Sequence, residues 1–148
     1  LSREGSNLIS RDVTLQDAVT AMRNMTTRPV NLDDGSRLVL SVIKKVSTTG
    51  SANFDQVILY QRHTYGTLSA QSTFTTAGTV SFGGPPNYVA ANADNNTSLR
   101  ITNLPANLTL SRGAMLYVTE VYTQHTLLTP LDRFGVTLPD VLYSIAYF

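Results

Sequence analysis

The chain has no cysteine and no tryptophan in its 148 residues, and only 14% of them are charged. Without cysteine, disulfides, zinc ribbons, iron–sulfur ligation and thiol catalysis are excluded. The compartment stays open, because an exported domain can do without disulfides. Eleven basic residues against ten acidic ones leave a net charge of +1. The longest basic run is the pair Lys44-Lys45, which reads as a solvated strand end. Phosphate binding needs clustered Lys and Arg, so nucleic acid is not expected as a partner. No stretch of the sequence approaches the roughly 20 apolar residues that cross a bilayer.

Recognisable chemistry is equally scarce. There is no G-x-S-x-G, no H-E-x-x-H and no glycine loop built to cradle phosphate. His63 and His125 each sit near the end of an expected strand, with no nucleophile motif nearby, and read as structural. Asp33-Asp34 and Asp94-Asn95-Asn96 lack the ligand spacing and distal Glu of a calcium loop. Glu120 lies inside an expected strand and reads as paired with an Arg across the sheet or exposed at an edge. The expectation is therefore a non-enzymatic chain with no catalytic residue, no cofactor, no metal and no small-molecule substrate. Its seven tyrosines read first as core or sheet-face residues.

What is present is a change of period. Leu1, Gly5, Leu8 and Ile9 fall on one helical face. Residues 11–13 break that helix. Thr14 then serves as an N-cap, with Asp17 in a capping-box-like position. Leu15, Ala18, Val19, Met22 and Met25 carry a second apolar stripe as far as Pro29. The stretch 31–35, N-L-D-D-G, is turn chemistry.

Beyond Gly35 the pattern alternates. Residues 36–46 place Leu38, Leu40 and Val42 on one face, with Arg37, Ser41 and Lys45 mostly on the other. Residues 47–53 form a loop. Residues 56–65 form a second strand, paired with the first as an antiparallel hairpin. Residues 66–97 have little periodicity and read as a long surface loop insertion, since such excursions in a compact domain are usually functional or mobile. Residues 98–104 give a short strand or single helical turn, closed by Pro105. Residues 114–124 are long enough for a central strand. A loop over 127–135 contains the breaker Pro130, and after Pro139 residues 141–148 give a last strand, with a helix as the lesser alternative. This is one α+β domain, two short helical segments followed by an antiparallel sheet of about four strands.

Two ends of the chain resemble one family. Residues 2–11, S-R-E-G-S-N-L-I-S-R, resemble the segment just after the membrane helix of TadE-like minor pilins of the tight-adherence (Tad/Flp) type IV pilus. Residues 113–130, G-A-M-L-Y-V-T-E-V-Y-T-Q-H-T-L-L-T-P, resemble that family's late strand and its turn. Residues 138–148, L-P-D-V-L-Y-S-I-A-Y-F, resemble its closing segment. Residues 46–112 carry no likeness. The resemblance implies a pilin-like fold and a minor pilin or pseudopilin that helps initiate or assemble the fibre. It implies a membrane helix N-terminal to Leu1, with this domain in the periplasm or in an extracellular pilus. The partners would be other pilin subunits and the inner membrane. Leu1, Gly5, Leu8 and Ile9 would then be the exposed stub of a helix-packing face, with Gly5 allowing close approach; docking on the domain's own sheet is the other reading. Tyr143, Tyr147 and Phe148 would be assembly contacts on a C-terminal edge strand. The alternative function is a surface adhesin or carbohydrate-binding module, resting on the tyrosines and the loop 66–97.

Overall fold

The computed structural model describes residues 1–11, 13–26, 30–124 and 141–148. The expected helix stop at Pro29, the loop 127–135 with Pro130, and His125 and Pro139 lie outside the described residues. Two helices, α1 (Ser2–Ile9) and α2 (Leu15–Met25), precede four strands, β1 (Ser36–Lys45), β2 (Val57–Gly66), β3 (Met115–Gln124) and β4 (Val141–Tyr147). The strands form one antiparallel sheet in the order β2-β1-β3-β4. The fold is α+β, with the N-terminal helices packed on the sheet.

The start of α2 follows from its first residues. Thr14 Oγ1 accepts the Asp17 backbone N–H at 3.1 Å and donates to Asp17 Oδ2 at 2.7 Å, which satisfies one of the free donors at a helix N-terminus. Leu15, Ala18, Val19 and Met22 are buried. Met25, expected on the same stripe, is 51% exposed. At about 100° per residue it has rotated to the margin of the apolar face by the last position of the helix.

One face of the sheet carries Leu38, Leu40, Val42 and Val121, and packs against Ile9, Leu15, Ala18, Val19 and Met22. The opposite face is buried as well, which the sequence reading did not expect. Ser41 is fully buried, and Val39, Ile43, Leu59, Leu116 and Val118 lie inside. The stretch 66–97, read as a surface loop, and the residues that follow it as far as Leu110 cover this face. Phe74, Phe82, Ile101, Leu104, Leu108 and Leu110 pack on Ile43, Leu59 and Leu116. Ala90 and Leu99 pack on Val46 and Ile58. Residues 98–104 resolve into the end of a single 3-10 turn (Thr97–Leu99) and two isolated bridges, Arg100 to Ile58 and Ile101 to Thr76.

The loop is pinned by polar groups. Asn53, fully buried, donates to the carbonyls of Ala93 and Asn96 at 2.9 and 2.8 Å and accepts from Arg100 Nε at 2.9 Å. Lys44 pairs with Asp94 at 3.2 Å and Lys45 with Asp55 at 3.3 Å, so this pair is tied down and not a freely solvated strand end.

Candidate assembly surface

The two edges of the sheet are β2 and β4. β4 pairs with β3 from Gln124↔Val141 to Val118↔Tyr147. Phe148 and Tyr117 exchange both backbone hydrogen bonds, at 2.9 and 3.0 Å. In an antiparallel ladder such pairs alternate with non-bonded ones. The N–H and C=O groups of Leu142, Ser144 and Ala146 therefore face β3, and those of Val141, Tyr143, Ile145 and Tyr147 face outward. Among the described residues, no strand pairs with that outer side.

The side chains here are unusually apolar for an edge. Val141, Leu142, Tyr143, Tyr147 and Phe148 are each between 37% and 61% exposed; the other exposed large hydrophobics among the described residues are Met25 and Met115. Residues 141–148 contain no charge and no proline, the two devices that commonly blunt an edge. Tyr143, Tyr147 and Phe148 thus stand where the sequence reading put them, on an exposed edge strand. Val141 and Leu142, not singled out from sequence, extend the same surface.

Beneath this edge lies Glu120, fully buried and not at an edge. Its carboxylate accepts from Ser72 Oγ at 2.6 Å, Thr73 N at 2.8 Å, Thr73 Oγ1 at 2.7 Å, Tyr122 OH at 3.1 Å and Tyr143 OH at 3.4 Å. Arg62 reaches this cluster through Ser72, donating to its Oγ at 2.8 Å, and also donates to Ser41 Oγ at 3.0 Å. The expected Arg partner is thus one hydroxyl away. Burial lowers the pKa of Arg62, opposed by the charge of Glu120. Burial also raises the pKa values of Tyr122, Tyr143 and Tyr147, with the Glu120 charge acting in the same direction. The Tyr122 and Tyr143 phenols stay protonated at neutral pH, as donors to Glu120 must. A buried carboxylate left without donors is costly, and here five donors converge on it. Tyr143 packs on Tyr122 with ring centroids 4.9 Å apart, and Tyr147 meets Phe74 edge-on at 6.3 Å. The edge strand is therefore held from below by a polar cluster and two aromatic pairs.

The N-terminal helix crosses the same region. Ser6 Oγ donates to Thr119 Oγ1 on β3 at 3.0 Å and to the Ala146 carbonyl on β4 at 2.9 Å, and the Ser2 and Ser144 hydroxyls lie 2.9 Å apart. Gly5 and Ile9 are buried within the domain, so they are not an exposed stub. A Cβ on Gly5 would come within 2.5 Å of Met22 Sδ and 2.8 Å of Thr119 Cγ2. Gly5 does permit close approach, but to α2 and β3 of its own chain. Leu1 and Leu8 are half-buried against the same core. The apolar stripe of α1 is satisfied within the domain.

The remaining candidates are accounted for by local structure. His63 stacks flat on Tyr88, centroids 3.9 Å apart, and burial lowers its pKa. Asp33 is bound by Arg23 at 2.9 Å and Tyr65 OH at 3.1 Å. Asp94 is bound by Thr48 Oγ1 at 2.6 Å besides Lys44. Among the described residues no three His, Cys, Asp or Glu side chains gather as a metal site. A second surface feature is a cleft of about 280 Å³ between Tyr60 and Tyr117, with Val42, Gln61, Asn87 and Met115 among its walls. Tyr60 is the extra residue of a bulge, since Val42 faces Gln61 and Ile43 faces Leu59; bulges re-aim side chains in this way.

No protein-family model matches the chain, and neither a curated protein nor a solved structure matches it.

Proposed function

We propose that this chain is the globular part of a minor pilin or pseudopilin, a non-enzymatic subunit that helps assemble a Tad-type pilus. The observation that carries the reading is the β4 edge, an uncharged strand with outward backbone groups and five exposed apolar side chains. Such an edge favours association with other chains. The resemblance of residues 2–11, 113–130 and 138–148 to TadE-like proteins supports the same reading, as does the helix-on-sheet arrangement. In this proposal a membrane helix upstream of Leu1 anchors the subunit in the inner membrane, and the domain lies outside the cytoplasm. α1 is not the contact in this version, because its apolar face is covered by the domain itself. Among the described residues no helix is long and apolar enough to cross a membrane.

The coding sequence upstream of Leu1 tests the proposal. It should encode a short basic leader and an apolar span of about 20 residues running into α1. A polar domain there, or a plain cleaved signal peptide, contradicts it. The Tyr60–Tyr117 cleft favours a second reading, an adhesin that binds a neutral sugar ring. Binding on a glycan array that is lost in Tyr60→Ala and Tyr117→Ala would replace the first reading.

A further inference from the structure

We propose that β4 is a self-pairing edge, through which two copies of this chain join antiparallel into one continuous eight-stranded sheet. This rests on the assembly reading and names its mode of contact. The outward backbone groups at Tyr143, Ile145 and Tyr147 form a ladder in which every second residue offers both a donor and an acceptor. A two-fold axis through such a strand uses the same set twice, as a two-fold interface requires. Centred on Ile145, it sets Ile145 opposite its own equivalent and Tyr143 opposite Tyr147 of the second copy. Both are then cross-strand pairs of apolar and aromatic side chains, which stabilise a sheet.

Charge points to a second copy as the occupant. An edge that meets itself must carry no charge that falls opposite its own like, since directly opposed like charges destabilise. Residues 141–148 carry none.

The helix layer also fits. Ser6 bonds to both β3 and β4, so α1 lies over the space between them. With strands about 4.8 Å apart, α1 is about 5 Å from the proposed axis, and two copies of α1 would lie about 10 Å apart, at the upper end of the usual helix-packing distance. The covering helices therefore do not block the pairing, and they extend it into a second layer.

Sedimentation of the domain across the micromolar range tests this. The wild-type chain should form a concentration-dependent dimer. Ile145→Pro removes a donor that faces away from β3, together with a side chain that packs partly on the core beneath; the β3–β4 hydrogen bonds are untouched, so the ladder should survive, as judged by circular dichroism and melting. Its dimer should be weaker by ~10-fold or more, because both central hydrogen bonds of the interface are lost. Should that variant fail to fold, Ser144→Cys serves instead. The chain has no other cysteine, so a short thiol cross-linker should give a covalent dimer from Ser144→Cys and none from Thr64→Cys on β2. A wild-type domain that stays monomeric overturns the proposal. So does a dimer indifferent to Ile145→Pro, or, where that variant does not fold, a Ser144→Cys that gives no covalent dimer. Capture of other pilin subunits through β4 by a domain that never self-associates also overturns it, while leaving the assembly reading intact.

Discussion

The two edges of this sheet are finished in opposite ways. Along β2, the chain covers its own edge. Ile101 N–H donates to the Val57 carbonyl at 3.0 Å, Ala90 N–H to the Tyr60 carbonyl at 2.9 Å, and Arg62 N–H to the Tyr88 carbonyl at 3.3 Å. The segment that supplies these partners is fixed by the buried Asn53 and by the Lys44–Asp94 pair. Along β4, the strand is held firmly from beneath, yet among the described residues nothing pairs with its outer side. One edge is thus closed by the chain itself, while the other is uncharged and apolar and has no pairing partner among the described residues.

The comparison can be broken most severely at Glu120. Glu120→Ala leaves the Thr73 amide and the hydroxyls of Ser72, Thr73, Tyr122 and Tyr143 without this acceptor, and removes the negative charge that faces Arg62; it should cost about 3 kcal/mol or more. Melting temperature measures the total. Amide exchange should show the β4 side opening first, because Tyr143 and the 72–73 segment both hang on this carboxylate, while β2 keeps its protection.

A smaller loss is expected at the other edge. Asn53→Ala removes three hydrogen bonds from a fully buried side chain and should cost about 2 kcal/mol. Exchange should then rise along β2 and spare β4. If both variants loosen the same strand, the edges are not independent.

The smallest effect is a pH dependence on the β2 side. The Thr48 hydroxyl, with Lys44 beside it, holds the Asp94 carboxyl below the ordinary aspartate range. A depressed carboxyl stabilises the fold above its unfolded pKa, near 3.9, and that contribution fades as pH falls through the folded value. Stability should therefore decline below about pH 4, and Asp94→Asn should flatten that part of the profile. An unchanged profile would mean that the pair contributes nothing measurable.

Much of this fold was legible in the sequence, because its signals were local. The Thr14–Asp17 spacing marked the start of α2. Alternation and runs of β-forming residues marked all four strands, and the C-terminal strand was expected at an edge. What stayed hidden depended on contacts distant in sequence. Ser41 looked like an outward position because alternation reveals a polar face but not what lies on it; Arg62 and the 72–110 segment bury it. The greater part of that segment, up to residue 97, read as a surface loop because its apolar residues, Phe74, Phe82 and Ala90, follow no period. Glu120 could not be matched in advance with Ser72 and Thr73, nearly fifty residues away. In α1, the helical stripe of Gly5 and Ile9 was visible but not its partner, and the domain itself proved to be that partner.

The most direct test of the open edge is amide exchange of β4 at low and high protein concentration. In dilute solution, the amides of Tyr143, Ile145 and Tyr147 should exchange freely, while those of Leu142, Ser144 and Ala146 stay protected by β3. At high concentration the first set should become protected too. Outward amides already protected in dilute solution, or equally unprotected at both concentrations, would contradict the account.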